Sequence, residues 1–329
     1  MDSTPENWDK SQLALGASFL QSSFWADFQK ALGKNCYFST GDGWSCLLIE
    51  RHTSMGKYLF APYGPTLRDT SVLGECLDSL KALGKNLGAT WLRIEPIAAG
   101  KHAEQLKQAL PPAGATPAVH YVDPPTTRVV DLSPSRDELL ASISQSTRSL
   151  IRKNEREHSL AFSSSTNPAD ISEFSSMVAA VTDRKDVNFF SADYYKTQAE
   201  ILMPRGAMHL ELAIDQGKPV AGTVIHDYGT TSTYTYGASL PEARSTSASA
   251  LLLWSAMVNA QQRGIKKLDL FGVAPENATP NHPWYGFSTF KKKFGGEVVE
   301  RAGTWDIPLN KQYHVYRLAN KARFSLRRH

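Results

Sequence analysis

Apolar positions in this chain recur with two periods, and the alternation between them predicts a mixed α/β fold. Residues 18–30 read as an amphipathic helix with Phe24, Trp25 and Phe28 on one side. Residues 69–87 place Leu73, Cys76, Leu77, Leu80, Leu83 and Leu87 at helical spacing, with Gly88 as the cap. Strands are predicted at 44–50 and 57–60, after the Gly41-Asp42-Gly43 turn, and at 90–94, which Pro96 ends. The stretch 111–125, with five prolines, reads as the loosest part. Beyond it come a strand at 128–132 and one long helix over 135–156, with Leu139, Leu140, Ile143, Leu150 and Ile151 inward. Asn167-Pro168 starts a helix running to 181, and Ser191 caps another to 203. Strands follow at 208–214, 219–227 and 230–238, the first two joined by the hairpin signal Asp215-Gln-Gly-Lys218. A helix over 247–263 ends at Gly264, and a strand fills 267–271.

The halves repeat one plan. Each runs hairpin strands, a helix closed by glycine, then a buried strand: Gly88-Ala-Thr-Trp-Leu-Arg-Ile94 in one and Gly264-Ile-Lys-Lys-Leu-Asp-Leu270 in the other. The period is too long for a solenoid and points to a duplicated α/β unit with a mixed sheet. The expected organisation is a domain over 1–126, with 306–329 packing back on it, and a second over 127–305.

Composition adds bounds rather than an identity. With 41% hydrophobic and 21% charged residues in 329, the chain is an ordinary globular one, too long for a single core. Lys plus Arg is 36 against 32 Asp plus Glu, and a formal charge of +4 excludes a histone-like binder while leaving room for a local basic patch. The polar start MDSTPENWDK has no apolar run after it, and the most apolar helix is far shorter than the ~20 residues that span a bilayer. Cys36, Cys46 and Cys76 are odd in number and lack zinc-ligand spacing. Reduced thiols in a cytoplasmic protein are the expectation, with no metal and no cofactor.

No GxSxG, HExxH, GxxxxGK[ST] or GxGxxG occurs, so the chemistry must rest on positioning and electrostatics. The densest cluster is Trp284-Tyr-Gly-Phe-Ser-Thr-Phe290-Lys291-Lys292-Lys293-Phe294-Gly295-Gly296. On a helix, successive residues turn by ~100°, so at most one or two of these lysines face a cleft. Either this is a solvated basic turn or one lysine faces a developing oxyanion or a phosphate. Arg148, Arg152 and Arg156 stack at a spacing of four, where like charges repel, so water or a polyanion must offset them. Tyr194 and Tyr195 open a helix, while Tyr234 and Tyr236 alternate on a strand and so share one face, as core packing or as a cleft lining.

Five segments in order resemble the Fem (FemABX) family of aminoacyl-tRNA-dependent peptidoglycan cross-bridge transferases. They are Leu20-Gln-Ser-x-x-Trp25-x-x-Phe-Gln29, Tyr63-Gly-Pro65, Leu92-Arg-Ile-Glu-Pro96, Thr147-Arg-Ser-Leu-Ile-Arg152, and Phe290-Lys291-x-x-Phe-Gly-Gly296 followed by Gly303-Thr-Trp305. The resemblance implies an α/β (α+β) fold of two GNAT-like, acetyltransferase-like domains. The interval 194–208 has no room for a coiled-coil arm, so the chain resembles the short FemX-like type. The implied reaction moves an amino acid from its tRNA ester to an amine of a stem peptide, on UDP-MurNAc-pentapeptide or lipid II. The implied catalytic residues are Lys291, as oxyanion stabiliser, and Glu95. Tyr194, Tyr236 and Phe290 match acceptor-site positions. The family's arginine before Tyr194 is replaced by Phe190, leaving Arg184 as the substitute, and its lysine after the helix Trp is replaced by Asp27, leaving Lys30. Arg148, Arg152, Arg156, Lys292 and Lys293 are the candidates for tRNA.

A CoA-dependent N-acyltransferase is the alternative on such a fold, but the stretch 244–250 lacks the glycine of a pyrophosphate loop. Aminoacyl transfer to a non-murein amine is a further alternative, and a plain nucleic-acid-binding module conflicts with the small net charge. The expected state is a monomer. Arg317, Lys321, Arg323, Arg327 and Arg328 read as a cationic, solvated tail, or as a peripheral membrane contact if lipid II is the acceptor.

Overall fold

The computed structural model of the chain describes residues 4–182 and 189–326. The chain divides into two compact units, 1–125 with 299–329 and 126–298.

Unit 1 begins with α1 (Trp8–Ala14) and a 3-10 turn at Phe19–Gln21, followed by α2 (Ser23–Ala31). Residues 18–30 are thus not one helix. Ser22 is extended, and its hydroxyl accepts from Trp25 N–H, which ends the 3-10 turn and starts α2. The strands β1 (Cys36–Gly41), β2 (Trp44–Thr53) and β3 (Gly56–Ala61) form a meander, with β4 (Thr66–Leu67) on β2. Helix α3 (Leu73–Asn86) then crosses to β5 (Trp91–Ile94), which pairs parallel to β3. Leu77 and Leu80 are fully buried between α3 and the sheet. Helix α4 (Gly100–Ala109) and β6 (Thr116–Pro117) complete this part.

Unit 2 opens with β7 (Thr126–Asp131), then α5 (Arg136–Ser142) and α6 (Gln145–Glu157). The single helix expected over 135–156 is broken. Ile143 is extended and buried, and Ser144 caps α6 by accepting from Thr147 N–H. The apolar spacing survives such a corner because both short helices face the same core. The edge strand β8 (Ala161–Ser165) precedes α7 (Ile171–Thr182) and α8 (Ala192–Leu202). Strands β9 (Met208–Asp215), β10 (Lys218–Tyr228) and β11 (Thr231–Ser239) form a second meander. Helix α9 (Ala248–Gln262) crosses to β12 (Lys267–Gly272), which is parallel to β11. Helix α10 (Tyr285–Lys292) and β13 (Glu297–Glu300) follow. Finally β14 (Trp305–Pro308) pairs antiparallel to β5 in unit 1, and α11 (Gln312–Leu326) ends the described chain.

The sheet orders are β1-β2-β3-β5-β14-β6 and β13-β7-β12-β11-β10-β9-β8. Both sheets are mixed, and in each the parallel pair is made by a helical crossover after a hairpin. That is the repeat seen in the sequence, with Gly88 and Gly264 at φ 68° and 83° after α3 and α9. The return to unit 1 starts at Val299, where the sequence suggested 306. Arg301 N–H bonds to Pro125 O, and Ala302 and Trp305 join the unit 1 core. Arg93 and Asp306, register partners on β5 and β14, form a two-bond ion pair of 2.7 and 2.9 Å with each side chain 1% exposed.

Two further expectations need correction. The proline-rich 111–125 stretch is tied down: Tyr63 hydroxyl donates to Pro124 O, and Ala118 N–H to Thr304 O. Residues 312–326 are no tail but helix α11, while Arg327 and Arg328 lie outside the described residues. Tyr313 and Tyr316 are buried, Tyr316 stacks on Trp91 at 4.2 Å, and Arg317 donates to Pro117 O. Among the described residues no helix is long and apolar enough to cross a membrane.

Candidate active site

Helix α10 carries Lys291 and Lys292, with Lys293 at its C-terminal cap, and the turn of the chain separates the three side chains. Phe290 packs on Phe294 at 5.4 Å, and Phe294 is fully buried in the unit 2 core. These rings fix the helix so that Lys291 points inward, 9% exposed, while Lys292 and Lys293 are exposed. The Lys291 ammonium donates to Gly272 O at 2.7 Å and lies 5.9 Å from the Tyr234 ring centre. Burial lowers its pKa from 10.5 to about 8, against the attraction of Asp269, which acts the other way.

The carbonyl that holds Lys291 is aimed by an unusual backbone turn. Phe271 sits at φ 60°, a region that costs a bulky residue energy, and the pairing of β12 with β7 slips between Asp269 and Gly272. The Asp269 carboxylate accepts Phe271 N–H at 2.8 Å and so supports the turn. Asp269 and Phe271 had no signal in the sequence beyond a buried strand ending in Phe-Gly, whereas Tyr234 stood out there only as one of two alternating tyrosines. Beside them lies a cavity of about 200 Å³ lined by Thr223, Tyr234, Gly237, Ser249, Phe287 and Phe290.

Tyr234 and Tyr236 do not share a sheet face. Val224 pairs with Tyr236 and Ile225 with Tyr234, so Thr235 is an extra residue, and this bulge turns the two tyrosines apart. Tyr234 packs on the α9 side. Tyr236 meets α8: its hydroxyl is 3.4 Å from that of Tyr194, and its ring lies edge-on to Tyr195 at 5.3 Å. Phe190 stacks flat on Tyr194 at 3.9 Å. Burial, and then the Tyr194 hydroxyl, hold the Tyr236 phenol well above its ordinary value, so it stays a neutral hydrogen-bonding group. The structure therefore brings Tyr194 and Tyr236 together, with Phe190 where an arginine was expected. Arg184 lies outside the described residues.

In unit 1, Glu95 is 3% exposed and its oxygens accept from Val122 N–H at 3.0 Å, Asp123 N–H at 3.3 Å and the Thr304 hydroxyl at 2.8 Å. Burial, and then neighbouring Asp123, push its pKa well above the usual carboxylate range, while burial lifts Asp123 to about 6. Lys30 ends α2 with its ammonium 5.4 Å from the Phe38 ring centre. On α6, Arg148 is half-buried and donates to Ala141 O, which ties α6 to the end of α5. Arg152 and Arg156 are exposed and form no ion pair among the described residues, although Lys153 and Glu157 pair at 3.8 Å on the same helix.

Two units, each built on a hairpin, a crossover helix and a parallel strand, define a duplicated α/β fold with mixed sheets. The FemAB family profile matches residues 6–213 and 207–321, and the chain belongs to that family. It is therefore a transferase of the peptidoglycan cross-bridge class in general terms. Among solved structures, FemX superposes with a TM-score of 0.85 at 17% identity, covering 97% of this chain and 99% of that one. A conserved protein of unknown function from Bacteroides thetaiotaomicron gives 0.60 at 12% identity, covering 94% and 99% of the two chains. L-PGS from Bacillus licheniformis gives 0.56 at 14%, covering 98% and 97%. At such identities the likeness establishes the fold. No curated protein matches the sequence.

Proposed function

We propose that this chain transfers an aminoacyl group from charged tRNA to an amine of a peptidoglycan precursor's stem peptide, in the cytoplasm. The observation that carries the reading is Lys291, a buried ammonium held in place by a backbone carbonyl, while the hydroxyls of Ser288 and Thr289 on the same helix donate to the Trp284 and Tyr285 carbonyls. An aminoacyl ester is already activated. The acceptor nitrogen attacks its carbonyl carbon, and the C–N bond forms. The C–O bond to the terminal ribose then breaks, and the ribose oxygen leaves with a proton while the amine loses one. The barrier lies in the tetrahedral oxyanion, and a pre-placed cation in a desolvated site lowers it by about 3–4 kcal/mol. With one hydrogen committed to Gly272, Lys291 keeps two for that oxygen.

In this reading Tyr194 and Tyr236 bind the acceptor through neutral hydroxyls, and Arg152, Arg156, Lys292 and Lys293 meet tRNA phosphates. Glu95, with its oxygens engaged by the 122–123 backbone, positions that segment and does not take the amine's proton. The acyl-CoA alternative is disfavoured at the start of α9, where Ser247, at φ 56°, and not glycine, precedes the helix. Radiolabelled transfer from charged tRNA to UDP-MurNAc-pentapeptide, to lipid II and to a free peptide amine is the test. Transfer from acetyl-CoA with none from charged tRNA would refute the proposal.

A further inference from the structure

Helix α11 has two apolar faces, and unit 1 covers only one. Tyr313 and Tyr316 are buried against Trp91. On the opposite side Val315, Leu318, Ala319 and Ala322, at the i, i+3, i+4, i+7 positions of one helix face, are all exposed, Val315 by 56% and Leu318 by 68%. This stripe is flanked by the exposed residues His314 and Lys321 on one side and Arg323 on the other, with Lys311 at its start. Sequence charge sharpens the picture. From Ile307 to the end there is no Asp or Glu, while Lys311, Arg317, Lys321, Arg323, Arg327 and Arg328 give six cations, more than the whole chain's net +4. Of these, Arg317 is used internally, bound to Thr116, Pro117 and Tyr313.

We infer that the outer face of α11 is a docking surface for an anionic lipid bilayer. An exposed apolar stripe edged by cations fits the boundary between headgroups and acyl chains, where apolar burial and attraction to anionic lipid act together. A nucleic acid would satisfy the cations but gives Val315 and Leu318 nothing to enter. A second copy of this chain would bring like charges together. The segment is too polar and too short to span, so the contact is peripheral. The inference does not depend on the donor or acceptor assigned above, and failure of the transfer assay would leave it standing.

The test is co-sedimentation of the full chain with vesicles of phosphatidylcholine containing about a third phosphatidylglycerol, against pure phosphatidylcholine. Binding to the anionic vesicles that weakens with salt is expected. Lys321→Gln with Arg323→Gln should lower the partition about fivefold per charge. Val315→Ser with Leu318→Ser should lower it about tenfold or more, with circular dichroism unchanged because both side chains are exposed. No binding to anionic vesicles at low salt overturns the inference. So does a serine variant that binds as tightly as the parent, which marks a polyanion site, or pelleting without vesicles that the serine variant abolishes, which marks self-association.

Discussion

Replacing Lys291 with Met keeps the length of the side chain and removes its charge, which separates catalysis from folding. A lysine displaced by burial from 10.5 to about 8 carries about 3 kcal/mol of unfavourable energy at neutral pH, where it is charged. Because the native pKa lies below the unfolded one, stability rises as pH climbs from about 8 towards 10.5 in the parent, and this rise is absent in the variant. Against that gain, Gly272 O loses its donor, at about 1–3 kcal/mol. Lys291→Met should therefore be as stable as the parent at neutral pH, or more stable by up to about 2 kcal/mol. Its kcat should nevertheless fall about 100- to 1000-fold, as for loss of one oxyanion donor. The parent's activity should also decline above about pH 8 as the ammonium is lost. Urea unfolding at several pH values and steady-state transfer kinetics read both sides. A variant with parental kcat removes Lys291 from the reaction. One destabilised by several kcal/mol shows that its buried charge is a structural asset, contrary to the reasoning.

Three other outcomes follow from the same geometry. Asp306→Asn leaves Arg93 charged and buried against Tyr58, and should cost about 3–5 kcal/mol in urea unfolding; a loss below about 1 kcal/mol would mean that β14 is held by backbone pairing alone. The native pKa of Glu95 lies well above 4.5, so its contribution to stability is full below about 4.5 and is lost as pH rises through the native value. Glu95→Gln should flatten the stability profile over that interval, and an unaltered profile would show that the carboxyl is ionised when folded. Arg152→Ala with Arg156→Ala should reduce the slope of log K for tRNA binding against log salt by about 1 to 2. An unchanged slope moves the tRNA contact off α6.

How legible the fold was depends on what each feature needs. The repeat was readable because Gly88 and Gly264 must take positive φ after their helices and because the strands that follow are buried on both faces. The break between α5 and α6 was hidden, since a corner at Ile143-Ser144 leaves the apolar positions on one core. The bulge at Thr235 was hidden for a deeper reason. Period-two alternation assumes an unbroken register, and one inserted residue reverses the face of all that follows without changing the composition.

The site illustrates the same limit. Aromatic anchors around a lysine run meant that at most one or two of the three lysines face inward, and it was the resemblance to the Fem family that singled out Lys291. What fixes that lysine is a carbonyl aimed by Phe271 at φ 60° and supported by Asp269, and backbone geometry of that kind leaves no periodic trace. The bulge that parts Tyr234 from Tyr236 lets the two rings act separately. Tyr234 closes the space around the lysine, and Tyr236 pairs with Tyr194 on the other face. If the two rings act independently, Tyr236→Phe should weaken the acceptor's KM without touching the pH limb that Lys291 sets. A shift in that limb would mean that the two faces of β11 are coupled through Thr235.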